Sequence, residues 1–329
     1  MILLLFSALV SITLSLSIVQ TKLGRVATDY LCDEFGVDIN VEKLDLSFLG
    51  NVQLKEVLIK NHHADTLIYA QKLTTSVFSY RNMMNSKLEF GQISLNNFVV
   101  NINTYQGETD DALTIFVDKF DDGTVSDQPS GFLLTATNLK LRDGYVELAD
   151  YNKPNDKLLY FKSINGGTKN FKVQGPNVYT IINNLSFVEN HSIEIKSLSS
   201  DFTYTKSYMN FLNTKLETET SSILTDLIFT YNREDFSDFN NLVNIEADVK
   251  KADVSLTDLK KFYNELGTDD VLHFTTKITG KLNNLEVHNL ELISDKNAII
   301  NGTLNFKNSF NQENGFSLDG NLTNLTSDY

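Results

Sequence analysis

The first nineteen residues, MILLLFSALVSITLSLSIV, carry no charged side chain, and everything after Gln20 is a polar, acidic, strand-patterned chain. At ~1.5 Å rise per residue, residues 2–19 would make roughly 27 Å of helix, about one bilayer hydrocarbon core. The asymmetry predicts a transmembrane signal anchor over residues 1–20. A cleaved secretory signal is the competing reading; it needs a basic leading region, a shorter apolar stretch and a small-x-small cleavage site. No Lys or Arg precedes the run, and Ser15-Leu16-Ser17 leads into apolar Ile18-Val19, so an uncleaved anchor fits better. A start inside a longer natural tail would account for the missing leading charges. Orientation stays open at this stage: Lys22 and Arg25 after the run favour a cytoplasmic body, while the strand-rich, acidic body argues the other way.

The body has 42 Asp+Glu against 28 Lys+Arg and a net charge of −14, which argues against a nucleic-acid partner or an anionic lipid surface. With one cysteine, Cys32, the chain can form no internal disulfide, so packing and sheet hydrogen bonds must hold it. Only Pro129, Pro154 and Pro176 could interrupt strand pairing. The N-x-S/T triplets at Asn184, Asn190, Asn301, Asn321 and Asn324 read as chance in so Asn-rich a chain.

After the anchor, Val19, Leu23, Val26, Tyr30 and Leu31 recur at spacings of three and four. They predict an amphipathic helix over residues 21–36, stopped by Gly36. From Val41 the period becomes two. Val52, Leu54, Val57 and Ile59 read as a strand, with residues 66–70 as its hairpin partner across a polar turn at 61–65. Phe98, Val100 and Ile102 alternate with asparagines, and Val243, Ile245, Ala247 and Val249 with polar residues. Leu139 and Leu141 lead into Asp143-Gly144, a type I′ hairpin signal from which Val146 and Leu148 would return. Two short helices are expected. One carries Leu113, Phe116, Val117 and Phe120 behind Asp110-Asp111; the other carries Leu259, Phe262, Tyr263 and Leu266 behind Thr257 as N-cap.

Near the C-terminus, Ile278-x-Gly280-x-Leu282, Ile300-x-Gly302-x-Leu304 and Leu318-x-Gly320-x-Leu322 form a weak repeat at spacings of 22 and 18 residues, about two strands each. Glycines on an apolar strand face imply a curved sheet. The whole reads as mainly β: an elongated, curved, antiparallel-rich β-sheet groove over residues 37–329, with a few short helices. The body is expected to continue in a longer parent protein.

No catalytic signature is present: there is no G-x-S-x-G, H-E-x-x-H, phosphate loop or C-x-x-C. His62-His63 with Asp65 could offer metal ligands, against which a solvated turn is the simpler reading. Asp118, Asp121 and Asp122 lack the spacing of a calcium loop. Glu234-Asp235 and Asp269-Asp270 sit in polar segments and receive no acid or base role. No enzyme activity, cofactor or metal is expected. What remains is the apolar face. Roughly 16 strands at ~4.8 Å would extend ~75 Å, closing into a sandwich or barrel or leaving a trough. An aliphatic trough suits lipid tails, which need no hydrogen bonds. Val100, Ile102, Val243, Ile245, Leu304 and Leu318 are the candidate lining residues.

Several segments taken together resemble a known family. They are SIVQTKLGRVATDYL (17–31), Phe35-Gly36, INVEKL (39–44), GNVQLKEVLIKNHHADTLIYA (50–70), FDDG (120–123), DFSDFNN (235–241) and LKKFYNEL (259–266). The resemblance is to the N-terminal part of TamB-like proteins of the AsmA superfamily of double-membraned bacteria. It implies a single-pass inner-membrane anchor with the body in the periplasm, and a role in supplying the outer membrane. Two activities follow from it. One is a bridge whose groove takes phospholipid acyl chains toward the outer membrane. The other is the inner-membrane subunit of a translocation and assembly module that partners an outer-membrane barrel assembly protein to insert β-barrel proteins. The resemblance carries no catalytic residues.

Overall fold

Alternation at period two builds strands, and strands dominate the chain. The computed structural model describes residues 29, 32–33, 36–46, 51–77, 87–121, 132–153, 159–262, 267, 270–309 and 315–326. The expected anchor over 1–20 lies outside these. Of the amphipathic stretch, Asp29, Cys32 and Asp33 are helical, and Gly36 takes the left-handed φ of +62° that ends a helix. Among the described residues no helix is long and apolar enough to cross a membrane.

The chain divides into two compact units, Met1–Val178 and Tyr179–Tyr329. Unit 1 contains β1 (Asp38–Leu46), β2 (Asn51–Lys60), β3 (Thr66–Val77), β4 (Lys87–Thr104), α1 (Ala112–Asp118), β5 (Leu133–Asp150) and β6 (Leu159–Gln174), the strands hydrogen-bonded in chain order. β7 (Asn177–Glu189) opens at the boundary. Unit 2 continues with β8 (Glu194–Tyr204), β9 (Tyr208–Glu217), β10 (Ser222–Thr230), a 3-10 turn (Arg233–Asp238), α2 (Phe239–Leu242), β11 (Asn244–Ser255), α3 (Leu256–Leu259), β12 (Val271–Lys281), β13 (Asn284–Ser294), β14 (Ile299–Lys307) and β15 (Ser317–Thr326), again in chain order. Neighbours pair antiparallel within each unit, except that β4 and β5 run parallel. A parallel pair needs a crossover, and the segment carrying α1 supplies it. Asp111 caps α1, its carboxylate accepting from the backbone N–H of Leu113 and of Thr114, each at 2.9 Å.

Several expectations need correction. Asp143-Gly144 is no hairpin: β5 runs through it, with Asp143 in the left-handed region at φ 51°. The same dipeptide that tolerates a tight turn also tolerates a bend within one strand. Gly144 is required there because a Cβ would overlap the Phe98 ring of β4. The second helix is capped by Ser255 rather than Thr257 and begins at Leu256; Tyr263 and Leu266 lie outside the described residues. Of the three glycine repeats, the first two lie on β12 and β14, but β14 and β15 are adjacent antiparallel partners, so that step spans one strand.

Candidate functional site

Strand register turns the apolar alternation into rows. In unit 1, Ile39, Ile59, Ile68, Val100, Val146 and Phe161 are successive partners across all six strands. Val41, Val57, Ala70 and Phe98 form the next row. Beyond it lie Leu44, Leu54, Leu73, Leu95 and Leu141. Between these two rows each strand inserts two polar residues, Glu42-Lys43, Lys55-Glu56, Gln71-Lys72, Asn96-Asn97 and Arg142-Asp143. Glu56, Asn97 and Asp143 adopt left-handed φ near 50°. That bend consumes one extra residue, so the apolar series steps by three and stays on the same face. Val57, Ala70 and Phe98 are buried, while the isoleucine and leucine rows on either side are only half-buried. A continuous apolar face therefore has half-buried rows on either side of a buried one.

Unit 2 carries comparable rows over six strands. Phe211, Leu227, Ala247, Ile278, Val287 and Leu304 are successive partners from β9 to β14. Parallel to them run Leu216, Ile223, Ala252, Phe274, Leu292 and Ile300. Between these rows the bulges of β9, β11 and β13 turn backbone carbonyls toward hydroxyls. Ser200 Oγ donates to Leu212 O at 3.2 Å, Thr225 Oγ1 to Asp248 O at 3.1 Å, and Thr276 Oγ1 to His288 O at 2.9 Å. The hydroxyls are held by backbone, so this stripe satisfies the fold's own polar groups.

Val100 and Ile102 lie half-buried on the unit 1 face, Ile102 opposite Leu148. Ile245 is buried between Phe229 and Gly280, and Leu304 is half-buried between Val287 and Gly320. Val243 has 0% exposure and precedes β11, which makes it packing rather than open surface. Leu318 is 49% exposed on β15, opposite Phe306. Sequence reasoning named one member of each row, Val100 in unit 1 and Leu304 in unit 2, and missed their partners Ile68 and Val287.

A second cluster lies where the β2–β3 turn meets the segment after β4. His62 Nε2 is 2.9 Å from Glu108 Oε2, and His63 Nε2 is 2.7 Å from Glu108 Oε1. The hydrogen bond with His63, more than that with His62, holds the Glu108 carboxyl below its ordinary range. Asp65 is engaged elsewhere, accepting from Tyr105 OH at 2.6 Å, while Asn61 Nδ2 donates to the same hydroxyl at 2.8 Å. The His63 ring lies 3.9 Å from that of Tyr105. Asn152 Nδ2 donates to Glu108 O at 2.9 Å, and Gly107 N donates to Asn152 Oδ1 at 2.7 Å. The histidine pair was legible in the sequence; Glu108 was not.

Asp258 in unit 2 is buried and accepts from Thr218 Oγ1, Ser221 Oγ and Thr220 Oγ1 at 2.6, 2.7 and 2.9 Å. Burial would raise its pKa, but these hydroxyls, with Lys261, outweigh it and hold the carboxylate low. A low-pKa carboxylate saturated with donors ties the turn between β9 and β10 to α3, a structural role. No known family matches the chain, and no curated protein is significantly similar to it.

Proposed function

We propose that this chain is a non-enzymatic, inner-membrane-anchored periplasmic bridge that conducts phospholipids toward the outer membrane along its apolar β-sheet faces. The observation that carries the reading is the set of unbroken apolar rows, mostly half-buried, in each unit. Acyl chains gain from such a surface about 25 cal/mol per Å² of apolar area removed from water, and without directional bonds they can slide along it. Polar residues on the opposite face, such as Asn101 and Lys140, help the sheet stay hydrated while its other side holds lipid. A charge on the aliphatic face would interrupt passage at the price of desolvation.

The test is direct. Ile68→Asp in unit 1 and Val287→Asp in unit 2 are expected to block an outer-membrane lipid supply assay, while the opposite-face Asn101→Asp leaves it intact. Circular dichroism and hydrogen exchange check that all three fold. Wild-type transport by both face variants would refute the conduit.

A second reading, a subunit that helps insert outer-membrane β-barrel proteins, is favoured by β15. Among the described residues it pairs only with β14, and it presents Leu318 and Leu325, the latter 64% exposed. An open strand edge can receive another strand. Crosslinks from β15 to nascent barrel proteins would support this reading; crosslinks to lipid alone would not.

A further inference from the structure

We propose that His62, His63 and Glu108 form a three-ligand site for a borderline divalent transition metal, with Zn²⁺ the natural occupant and a fourth position open to water. Adjacent histidines in a turn usually diverge. Here both Nε2 atoms converge on the two oxygens of one carboxylate, and all the donor atoms lie within 4.8 Å of one another. Bonds of about 2.0–2.2 Å from a central ion to two imidazoles and a carboxylate are met by small ring rotations from this geometry. The ion takes the place of the protons the histidines now share with Glu108.

The scaffold around the ligands is built to hold them. Asn61 Oδ1 accepts from the backbone N–H of His63 at 2.9 Å and of Asp65 at 3.0 Å, locking the turn that presents both rings. Glu108 N donates to Tyr105 O at 3.0 Å, and Asn152 holds the Glu108 carbonyl. Tyr105 thus ties the histidine turn to the Glu108 segment through its hydroxyl, its ring and its backbone. Ligands held by their own partners lose little entropy on binding. Two imidazoles to one carboxylate select Zn²⁺, Cu²⁺ or Ni²⁺ over Ca²⁺ and Mg²⁺, which want oxygen. Metal binding would clasp the β2–β3 turn to the end of β4 in unit 1, independently of lipid passage.

The experiment is titration of the full-length protein, in detergent and after chelator dialysis, with Zn²⁺ against a chromophoric chelator, and with Co²⁺ for its visible absorption. One Zn²⁺ per chain is expected, with Mg²⁺ unable to compete. His63→Gln and Glu108→Gln should each weaken binding by at least about tenfold, while His191→Gln in unit 2 has no effect. Both ligand variants are at the surface, and circular dichroism confirms that they fold. Absence of stoichiometric binding, unchanged affinity in both ligand variants, or equal competition by Mg²⁺ would each overturn the site.

Discussion

In unit 1 the polar pair that interrupts each strand sits in one row from β1 to β5, and the register through that row is unbroken. In unit 2 the extra residue falls on β9, β11, β13 and β15 only, beside Asn213, Lys250, Asn289 and Thr323, and each pairing slips by one. The difference has a chemical consequence. When neighbouring strands bend together, the rows flanking the bend can be apolar throughout. When only one strand of a pair carries the extra residue, its ladder is locally disrupted, and at β9, β11 and β13 a hydroxyl on a regular neighbour, Ser200, Thr225 or Thr276, takes up a carbonyl there. Unit 1 therefore presents an aliphatic face across its bend, whereas unit 2 presents two aliphatic bands divided by a hydroxyl stripe.

The strongest way to break the unit 1 arrangement is at its tightest contact. Gly144→Val places two branches into the Phe98 ring, and we expect a loss of about 3 kcal/mol confined to β3–β5, read as lost amide protection there while β9–β14 keep theirs. Loss spread equally over both units would mean that the two bends are not independent.

A smaller effect sharpens the contrast in hydroxyl use. Thr276→Val strands the carbonyl of His288 at a bulge and should cost about 1–2 kcal/mol. Thr168→Val in β6, whose buried hydroxyl has no hydrogen-bond partner, should be neutral or mildly stabilising by urea unfolding. Equal costs at both sites would mean that a hydroxyl holding a bulge carbonyl contributes no more than one without a partner.

The smallest effect is the pH dependence of unit 2. Hydrogen bonds to Asp253 and then Asp295, at 2.7 and 2.9 Å, raise the His273 pKa above 6.5. Its contribution is full below pH 6.5 and declines as pH rises through the raised value. Asp253, lowered below 3.8 by His273 first and Lys251 second, contributes fully above pH 3.8 and loses that as pH falls through its lowered value. The bond is best made between pH 3.8 and 6.5. Amide exchange in β12 should therefore quicken as pH rises through the raised value, beyond its intrinsic increase, and His273→Gln should abolish that excess.

Much of the fold was legible, because alternation names strands and the turn at residues 61–65 names one hairpin. The bends leave a trace that the sequence reading did not use, a spacing of two, three, two: Val52, Leu54, Val57, Ile59 in β2, and Leu139, Leu141, Gly144, Val146 in β5. Asp143-Gly144 misled because a left-handed residue serves a turn and a bend alike, and only the neighbouring Phe98 decides between them. Val243 shows the limit of alternation, which assigns a face but cannot say that a residue preceding the strand is sealed. Glu108 was out of reach for a related reason. It stands forty-six residues from His62, and only the pairing of β3 with β4 brings their ends together.

The parallel β4–β5 pair has a consequence for the order in which the chain can be built. Ile59 and Ile68 pair across nine residues, so β3 can zip onto β2 almost as soon as it exists. Val100 must wait for Val146, forty-six residues later. Closing the longer loop costs about 1.4 kcal/mol more in chain entropy by the logarithmic rule. Assembly should thus proceed strand by strand through β4, pause while the crossover segment is made, and resume hairpin by hairpin from β5. During that pause the exposed edge of β4, with Phe98 not yet backed by Gly144, is the point at which a chaperone would have most to protect.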